Sequence, residues 1–395
     1  MKKIFKSKYL TMVCFLVLLI SMFLLGITPV YNAIQTTAWI YSSTGVLDFS
    51  YVESGYIENF AGKEHFLALN GILQNIIQAR EVNERYKQDN GRLTYVIGEY
   101  DMDVIAANTV AFRDAVEEQG IPMVYVNTPF QIHETDTQLP IGIEDYSNDN
   151  ADRFLAYLEK NQVSVLDLRD CVAEDGLDHY DLYFKTDHHW KPEAGLWAVG
   201  KITDYLARLD KSFGVDRSIL DQENYHFETM EKVFLGSSGR RVGTTYAGMD
   251  DLTVITPEFD TNLIFSAPNG NLHRTGSFAE TFLFPENLIA DNILYSNSYT
   301  VYCGGSYDLL NIQNLGTESN ANLNPKKILL IRDSYSDVLI PFLSLVYSQI
   351  HVIDMRVFTS DLLAYLDEFR PDLVLVVYNP GAYENNNLNM FDFLK

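Results

Sequence analysis

One short run, Thr186-Asp187-His188-His189-Trp190, places a carboxylate and two imidazoles within three positions of a chain that contains eight histidines. An aspartate and a histidine two positions apart on a turn can hydrogen-bond. The carboxylate then orients the ring and stabilises its cationic form. Such a pair supplies the acid and the base of a nucleophilic triad. The same residue types also bind metal ions, so the run has two possible chemistries.

A metal site is the second interpretation of this region. Five potential ligands fall within eleven residues: His179, Asp181, Asp187, His188 and His189. No regular His-x-x-x-His spacing and no second cluster accompany them, and the chain has no Cys-x-x-Cys motif. We therefore predict that the chain holds no metal.

The elements around this run predict an α/β fold. Apolar runs typical of buried strands alternate with segments of helical periodicity. The predicted strands cover residues 93–97, 122–126, 163–168, 327–331, 350–353 and 372–378. The predicted helices cover residues 60–86, 103–119, 149–161, 192–209, 336–348 and 360–369. This alternation predicts one parallel sheet with helices on both faces.

Residues 211–325 depart from that alternation. Gly, Ser, Asn, Asp and Thr dominate the segment, and short alternating apolar runs such as residues 252–255 and 263–265 lie between them. Alternation of this kind is typical of half-buried strands. We predict a β-rich insertion at 211–325 within a domain at 60–395.

A serine lies where such a sheet could present it to the acid–base pair. Ser334 follows the apolar strand that ends at Ile331 and precedes a predicted helix. Ligands bind at the carboxyl ends of strands in such sheets, and backbone N–H groups at a helix N-terminus can stabilise an oxyanion. Asp187 and His189 also follow a strand. The pattern therefore predicts a triad of Ser334, His189 and Asp187, whose order along the chain is free.

The segment Tyr183–Trp190, which reads YFKTDHHW, resembles the signature of the DHHW protein family. That family is similar to the alginate O-acetyltransferase group. Residues 331–336 resemble the nucleophile motif of these proteins, although Arg332-Asp333-Ser334 replaces the usual Gly-Asp-Ser. Residues 165–169 and 234–239 are supporting matches, and the likeness covers most of 55–380.

The resemblance implies an SGNH-hydrolase-like, flavodoxin-like domain in which the Asp and the His precede the Ser. It makes Asp187 the orienting acid, His189 the base and Ser334 the nucleophile, with His188 at the variable middle position. The oxyanion hole is not identifiable by motif, and the Ser334 backbone N–H is its first candidate. Further candidates for oxyanion or substrate contacts are Gly236, Gly239, Arg241 and Asn379.

The N-terminus predicts a membrane anchor. Four lysines within residues 1–8 precede an apolar run at 9–30, which is long enough to span a bilayer with the lysines on the cytoplasmic side. A cleaved signal peptide is the rival interpretation, but no clear Ala-x-Ala site follows. We expect a cytoplasmic tail at 1–8, an uncleaved anchor at 9–30, a stalk at 31–59 and an extracytoplasmic body.

The composition indicates a globular protein and disfavours one class of binding partner. With 47% hydrophobic and 21% charged residues, the 395-residue chain is globular, and its net charge of −24 disfavours nucleic acid as a partner. Two cysteines lie in the body, Cys171 and Cys303. They could form one disulfide or remain two buried thiols.

The resemblance implies an O-acetyltransferase that acts on hydroxyls of a cell-surface polysaccharide without a cofactor of its own. It also implies a membrane-bound O-acyltransferase as the acetyl donor, because acetyl-CoA is cytoplasmic. Two alternatives stay open. One is a carbohydrate acetylesterase with the same triad, and the other is a non-catalytic glycan-binding or assembly protein.

Overall fold

The protein is described from a computed structural model, which defines residues 2–44, 62–288, 296–317 and 323–394. The chain forms two compact units, Met1–Ile76 and Ile77–Lys395.

The first unit consists of two helices in its described part, Lys2–Thr44 and Lys63–Ile76. Within the first helix, Tyr9–Gln35 is long and apolar enough to cross a membrane, a property that signal sequences share. The helix continues past residue 30, so the first part of the predicted stalk is helical. The rest of that stalk, from residue 45, lies outside the described residues.

The second unit holds the strands. They are β1 (Glu81–Val82), β2 (Arg85–Lys87), β3 (Leu93–Thr94), β4 (Met123–Asn127), β5 (Ser164–Asp167), β6 (Tyr225–Phe234), β7 (Asp250–Pro257), β8 (Leu263–Ala267), β9 (Leu272–Gly276), β10 (Leu309–Asn314), β11 (Asn324–Arg332), β12 (Tyr347–Ile353) and β13 (Leu373–Tyr378).

Helices connect these strands. The α-helices are Asp103–Glu118, Ser147–Lys160, Leu168–Glu174, Pro192–Leu209, Ser237–Val242, Thr244–Ala247, Phe278–Phe282, Ile340–Leu343 and Leu362–Phe369. Short 3₁₀ helices are His179–Leu182, Lys211–Phe213, Arg217–Leu220, Gln222–Asn224, Pro285–Asn287, Ser298–Val301, Ser334–Val338, Pro380–Tyr383 and Asn385–Phe391.

The main sheet has eight strands in the order β5-β4-β13-β11-β12-β10-β8-β9. The first five run parallel, and the last three are antiparallel to their neighbours. The carboxyl ends of the parallel strands therefore meet at one edge, where Arg332 pairs with Val377 and Tyr378 pairs with Asn127. Ser334 lies just beyond this edge.

Both faces of the central strands are covered. In β11, Ile328 and Leu330 pack into one apolar cluster, whereas Leu329 and Ile331 pack into the cluster on the opposite face. Every residue of β13 is buried. Burial on both faces explains why these strands appear in the sequence as continuous apolar runs.

The segment at 211–325 contains five strands, and three of them extend the main sheet. Strands β8, β9 and β10 add an antiparallel edge next to β12, while β6 and β7 pair separately as a two-stranded ribbon. The sheet is therefore mixed rather than wholly parallel. The predicted α/β class, with β-rich content in this segment, is confirmed.

Three predicted elements differ from the structure. The helix predicted at 60–86 ends at Ile76, because Gln78, Asn83 and Glu84 have positive φ angles and the chain turns into the β1–β2 hairpin. The strand predicted at 93–97 is reduced to β3 and pairs with β2 outside the main sheet.

The third difference is the helix predicted at 336–348. This segment forms the 3₁₀ helix Ser334–Val338 and the short helix Ile340–Leu343, and β12 begins at Tyr347. Residues 335–347 are buried on all sides. Apolar periodicity therefore carries no information about the type of element there.

Candidate active site

Three side chains from distant parts of the chain form a continuous hydrogen-bonded row. His189 Nδ1 lies 2.5 Å from Asp187 Oδ1, and His189 Nε2 lies 2.7 Å from Ser334 Oγ. The structure thus brings together the three residues predicted as acid, base and nucleophile. The row has the order and the distances that a Ser–His–Asp triad requires.

A closed loop holds Asp187 and His189. Tyr183 and Trp190 form an isolated antiparallel bridge, and the Lys191 N–H donates to the Leu182 carbonyl at 2.7 Å. Because its two ends are joined in this way, the loop holds the side chains of Asp187 and His189 in place. The helix that begins at Pro192 follows directly.

Asp187 stays ionised although it is almost fully buried, with 1% of its surface exposed. Burial raises the pKa of this carboxyl, but the neighbouring His189 and hydrogen bonds to the carboxylate more than offset it, so that the pKa lies well below its ordinary value. The donors include the His189 backbone N–H at 2.8 Å and the Ser237 backbone N–H. A carboxylate in this state can orient an imidazole and stabilise its cation.

Aromatic packing fixes the plane of the His189 ring. Tyr299 stacks on it with ring centroids 4.1 Å apart and planes at 16°, and the His188 ring lies 3.9 Å away on a tilted plane. Only 8% of His189 is exposed. The ring can therefore exchange a proton with Ser334 without turning away from it.

Asp250 and two glycines support the acid loop from the far side. Asp250 accepts hydrogen bonds from the Lys185 N–H, the Thr186 N–H and the Thr186 hydroxyl, at 2.7–2.8 Å. The Gly236 N–H donates to Thr186 Oγ1 and the Gly239 N–H donates to the Thr186 carbonyl, both at 2.8 Å. Both glycine N–H groups are thus occupied. The proposal that they face the substrate as oxyanion donors does not fit this geometry.

Gly236 lies so close to Asp187 that a side chain would not fit. A Cβ atom at Gly236 would lie 2.2 Å from Asp187 Cβ and 2.6 Å from its Cα. The φ angle of −70° at Gly236 is ordinary, so space alone requires glycine at this position.

Asn379 holds the loop that carries Ser334. Its backbone N–H and its side-chain amide both donate to Asp333 Oδ2, at 2.6 and 2.7 Å. Asp333 also accepts the Tyr335 N–H at 2.9 Å and so caps the 3₁₀ helix that begins at Ser334. These bonds tie the ends of β11 and β13 together, and they use the backbone N–H and one of the two side-chain N–H groups of Asn379.

A buried charge network lies behind Ser334, where Arg332 replaces the usual glycine. The fully buried Arg332 guanidinium lies 3.0 Å from Asp337 and 3.9 Å from Asp354, and Asp354 pairs with Arg356 at 2.6 Å. Burial raises the pKa of Asp337 to about 6, although Arg332 opposes this shift.

Two polar groups have no hydrogen-bond partner among the described residues. The Ser334 backbone N–H has no acceptor within the described residues, as expected at the first position of a helical turn. Ser238 Oγ is buried without a partner in the described part of the chain. The Ser334 N–H remains the first candidate for the oxyanion donor.

An open cleft of about 610 Å³ adjoins the triad. We call it the His188 cleft, and the residues that line it include Arg85, Tyr86, Tyr95, His188, Ser237 and Arg241. His188 Nδ1 lies 2.9 Å from Ser237 Oγ. Burial and the neighbouring His189 together lower the pKa of His188 to about 3, so the ring is neutral at physiological pH.

The five candidate metal ligands do not converge. Among the described residues, Asp187, His188 and His189 have ligand atoms within 4.8 Å of one another. Both ring nitrogens of His189, however, are already hydrogen-bonded, to Asp187 and to Ser334. His179 instead packs against His133, and Asp181 lies 4.0 Å from Arg92.

The cysteines are free thiols. Cys171 and Cys303 are both buried and unpaired. Of the two possibilities raised by the sequence, the structure therefore has separate thiols.

Comparison with known proteins identifies the fold. Residues 100–232 match the family model of the SGNH hydrolase-like domain of the acetyltransferase AlgX. This chain has an SGNH hydrolase-like domain. The predicted resemblance is thereby confirmed.

Solved structures agree with this assignment. PatB1 from Bacillus cereus is 18% identical, with a TM-score of 0.62, over 78% of this chain and 99% of that one. Its structure with a sulfonyl adduct gives a TM-score of 0.61 at the same identity and coverage. A DHHW family protein from Eubacterium siraeum is 19% identical, with a TM-score of 0.57, over 80% of this chain and 97% of that one. A search of curated proteins by sequence gives no significant match.

Sequence reasoning missed the residues that support the row Asp187–His189–Ser334 from a distance. Ser237 donates to Asp187, Asp250 holds Thr186, and Tyr299 stacks on His189. Phe234–Gly239 carried a weak signal because its motif resembled the family. Asp250 and Tyr299 lie in the segment 211–325, where no local pattern distinguishes them from ordinary loop residues.

Proposed function

We propose that this protein is an O-acetyltransferase that modifies hydroxyls of a cell-surface polysaccharide through an acetyl-Ser334 intermediate. The observation that carries the proposal is the row Asp187–His189–Ser334, with hydrogen bonds of 2.5 and 2.7 Å. The match of residues 100–232 to a domain model named for an acetyltransferase supports acyl transfer as the reaction class.

The geometry supports a two-step reaction. In the first step, Ser334 Oγ attacks the acetyl carbonyl carbon while His189 Nε2 takes the hydroxyl proton. The bond from the carbonyl carbon to the leaving oxygen then breaks, and His189 returns the proton to that oxygen. Asp187 stabilises the cationic ring in between.

The second step reverses these roles. A sugar hydroxyl gives its proton to His189 and attacks the acetyl-Ser334 carbonyl carbon. The ester bond to Ser334 Oγ breaks, and the proton passes from His189 to the serine. The Ser334 backbone N–H, free of other acceptors, is positioned to stabilise both oxyanions.

The N-terminal helix supports an extracytoplasmic location. Tyr9–Gln35 is long enough to span a bilayer, and the lysines that precede it favour a cytoplasmic N-terminus. We propose that the domain is anchored by this helix outside the cell. A membrane-bound O-acyltransferase would then deliver the acetyl group, because acetyl-CoA is cytoplasmic.

The decisive experiment is a product analysis. The full chain in detergent micelles is incubated with p-nitrophenyl acetate and a panel of oligosaccharides, and the products are weighed by mass spectrometry. We expect acetylated oligosaccharide from the wild type and none from Ser334→Ala. Release of acetate without any acetylated sugar would instead contradict the transferase and support the alternative of an esterase, since an esterase passes through the same intermediate.

A further inference from the structure

A cationic side chain lies in the His188 cleft without an ionic partner. Arg85 is half-buried and makes no salt bridge with a described residue. Its Nη1 donates to the backbone carbonyl of Glu84 at 2.8 Å, and its guanidinium carbon lies 5.2 Å from the centre of the Tyr95 ring. Its Nε is buried and has no acceptor within the described residues.

This position is unfavourable for a cation. Burial lowers the pKa of Arg85, and the nearby Arg241 lowers it further. A buried donor without a partner and two adjacent like charges each cost free energy. An anion bound between them would relieve both costs.

The acidic residues of the cleft offset the environment of Arg85 only in part: Glu84 and Glu384 raise the pKa of Arg85, but neither forms a salt bridge with it. Glu84 lies 3.7 Å from Arg241, but the two side chains are 87% and 54% exposed, so water and salt screen this pair. Glu384 also lines the cleft, and burial raises the pKa of its carboxyl. Glu384 forms no salt bridge with a described residue.

We propose that the His188 cleft binds an anionic group of the acceptor glycan, a carboxylate or a phosphate, with Arg85 as the primary contact and Arg241 as the second. The inference rests on the proposed transferase function and specifies its acceptor. A guanidinium presents paired N–H donors that match the geometry of either anion. Tyr86 and Tyr95 also line the cleft and add aromatic surface to it.

The cleft lies next to the triad, so an acceptor bound there could take part in the reaction. His188 lines it, and His188 lies beside His189 at a ring distance of 3.9 Å. An acceptor held by its anionic group at Arg85 would therefore have a neighbouring hydroxyl within reach of the triad. In a chain of net charge −24, the two arginines balance Glu84 and Glu384, so the lining of the cleft carries no net negative charge that would repel an anion.

The test compares charged and neutral acceptors of equal length. Oligogalacturonate, its carboxyl-reduced neutral counterpart and a glycerol-phosphate oligomer are offered to the full chain in micelles, with p-nitrophenyl acetate as donor. Dissociation constants for the same three compounds are measured by calorimetry, which requires no turnover. We expect at least one anionic compound to bind on the order of tenfold more tightly than the neutral one. Comparison of oligogalacturonate with the glycerol-phosphate oligomer shows whether the cleft prefers a carboxylate or a phosphate.

Two variants of Arg85 and one control variant test whether Arg85 causes the preference for the anionic compound. Arg85→Gln should lower the preference for the anion by about tenfold or more, and Arg85→Lys should retain part of it. Arg208→Gln is the matched control, because Arg208 also lies over a tyrosine ring, that of Tyr205, but outside the cleft. It should leave the preference unchanged. The preference is the ratio of the binding of an anionic compound to that of the neutral compound by the same variant. A loss of folded protein affects both measurements equally and therefore leaves this ratio unchanged.

Equal binding of charged and neutral compounds by the wild type, or an unchanged preference in Arg85→Gln, would overturn the inference. Acetyl transfer to the neutral oligosaccharide would still support the proposed function in that case. Anion binding that depends on Arg85, without acetyl transfer to any compound, would instead contradict the transferase and leave the anion site in place.

Discussion

The two carboxylate oxygens of Asp187 accept hydrogen bonds from different residues. Oδ1 accepts from His189 Nδ1 and from the His189 backbone, whereas Oδ2 accepts from the Ser237 N–H. The carboxylate is therefore held at a fixed angle to the ring. An amide at this position could keep most of these contacts but would favour the wrong tautomer of His189.

We expect Asp187→Asn to lower kcat by about 10³- to 10⁴-fold, because the remaining tautomer has no acceptor nitrogen facing Ser334. Steady-state hydrolysis of p-nitrophenyl acetate measures this effect. His188→Gln serves as the comparison, since His188 touches Ser237 rather than Ser334. It should cost less than about tenfold in kcat. A loss as large as that of Asp187→Asn would assign His188 to the triad.

The close packing at Gly236 leads to a second prediction, which concerns stability and kcat. Gly236→Ala should lower the free energy of unfolding by about 1–3 kcal/mol and reduce kcat, because the added methyl would meet the backbone of Asp187. Gly98→Ala is the control, since a Cβ there would lie 3.6 Å from Tyr100, an ordinary contact. Denaturant unfolding of both variants checks the difference. Equal stabilities would contradict the close approach.

At the scale of elements, the β7 strand positions the acid loop. Asp250 lies at the start of β7 and receives three hydrogen bonds from residues 185–186. The loop therefore depends on a strand that lies more than sixty positions away in the chain.

Asp250→Ala should lower the free energy of unfolding by about 1–3 kcal/mol, because three buried donors lose their acceptor. It should also lower kcat although the triad residues remain. The neighbouring Asp251→Ala removes a hydrogen bond to the Lys232 N–H at an exposed site and should cost under about 1 kcal/mol. Thermal unfolding and p-nitrophenyl acetate turnover measure both variants. Similar effects from the two would remove the proposed role of Asp250.

The sequence predicts local features well and distant pairings poorly. The Asp187–His189 contact follows from a spacing of two residues, and the position of Ser334 follows from an apolar strand that ends before it. The pairing of β8, β9 and β10 with the main sheet does not follow, because alternation identifies the buried face of a strand and not its neighbour. Asp250 and Tyr299 could not be predicted either, because their contacts with Thr186 and His189 join segments that are far apart in the sequence.

At the scale of the whole molecule, buried ionisable groups couple stability to pH in opposite directions. Burial lowers the pKa values of His179 and His351 to about 4, so these residues reduce stability as the pH falls below the ordinary histidine value. Burial raises the pKa of Asp337 to about 6. Between about pH 4 and 6 the folded state holds a proton on Asp337 that the unfolded state has lost, so this group reduces stability as the pH rises.

Comparison with Asp337→Asn isolates this contribution. We expect the stability of the wild type relative to the variant to fall by on the order of 2 kcal/mol from pH 4 to pH 6 and to change little above that. Denaturant unfolding at a series of pH values measures the difference. A difference that does not change between pH 4 and 6 would show that Asp337 is ionised throughout.

The N-terminal helix gives a prediction for the full chain. Expressed in a bacterium, the chain should remain in the membrane fraction after alkaline carbonate extraction, and protease added outside the cell should digest the body. A variant lacking residues 2–35 should lose this membrane association. A shortened N-terminus on the mature wild-type protein would instead show that the helix is a cleaved signal peptide.

The central claim is that Ser334 carries the acetyl group, and trapping the intermediate tests it most directly. The full chain is mixed with p-nitrophenyl acetate, quenched rapidly in acid, digested and analysed by mass spectrometry. The acetyl group should lie on the peptide that contains Ser334, increase in amount when deacylation is slow, and disappear in Ser334→Ala. An acetyl group on a different residue, or full turnover by Ser334→Ala, would contradict the claim.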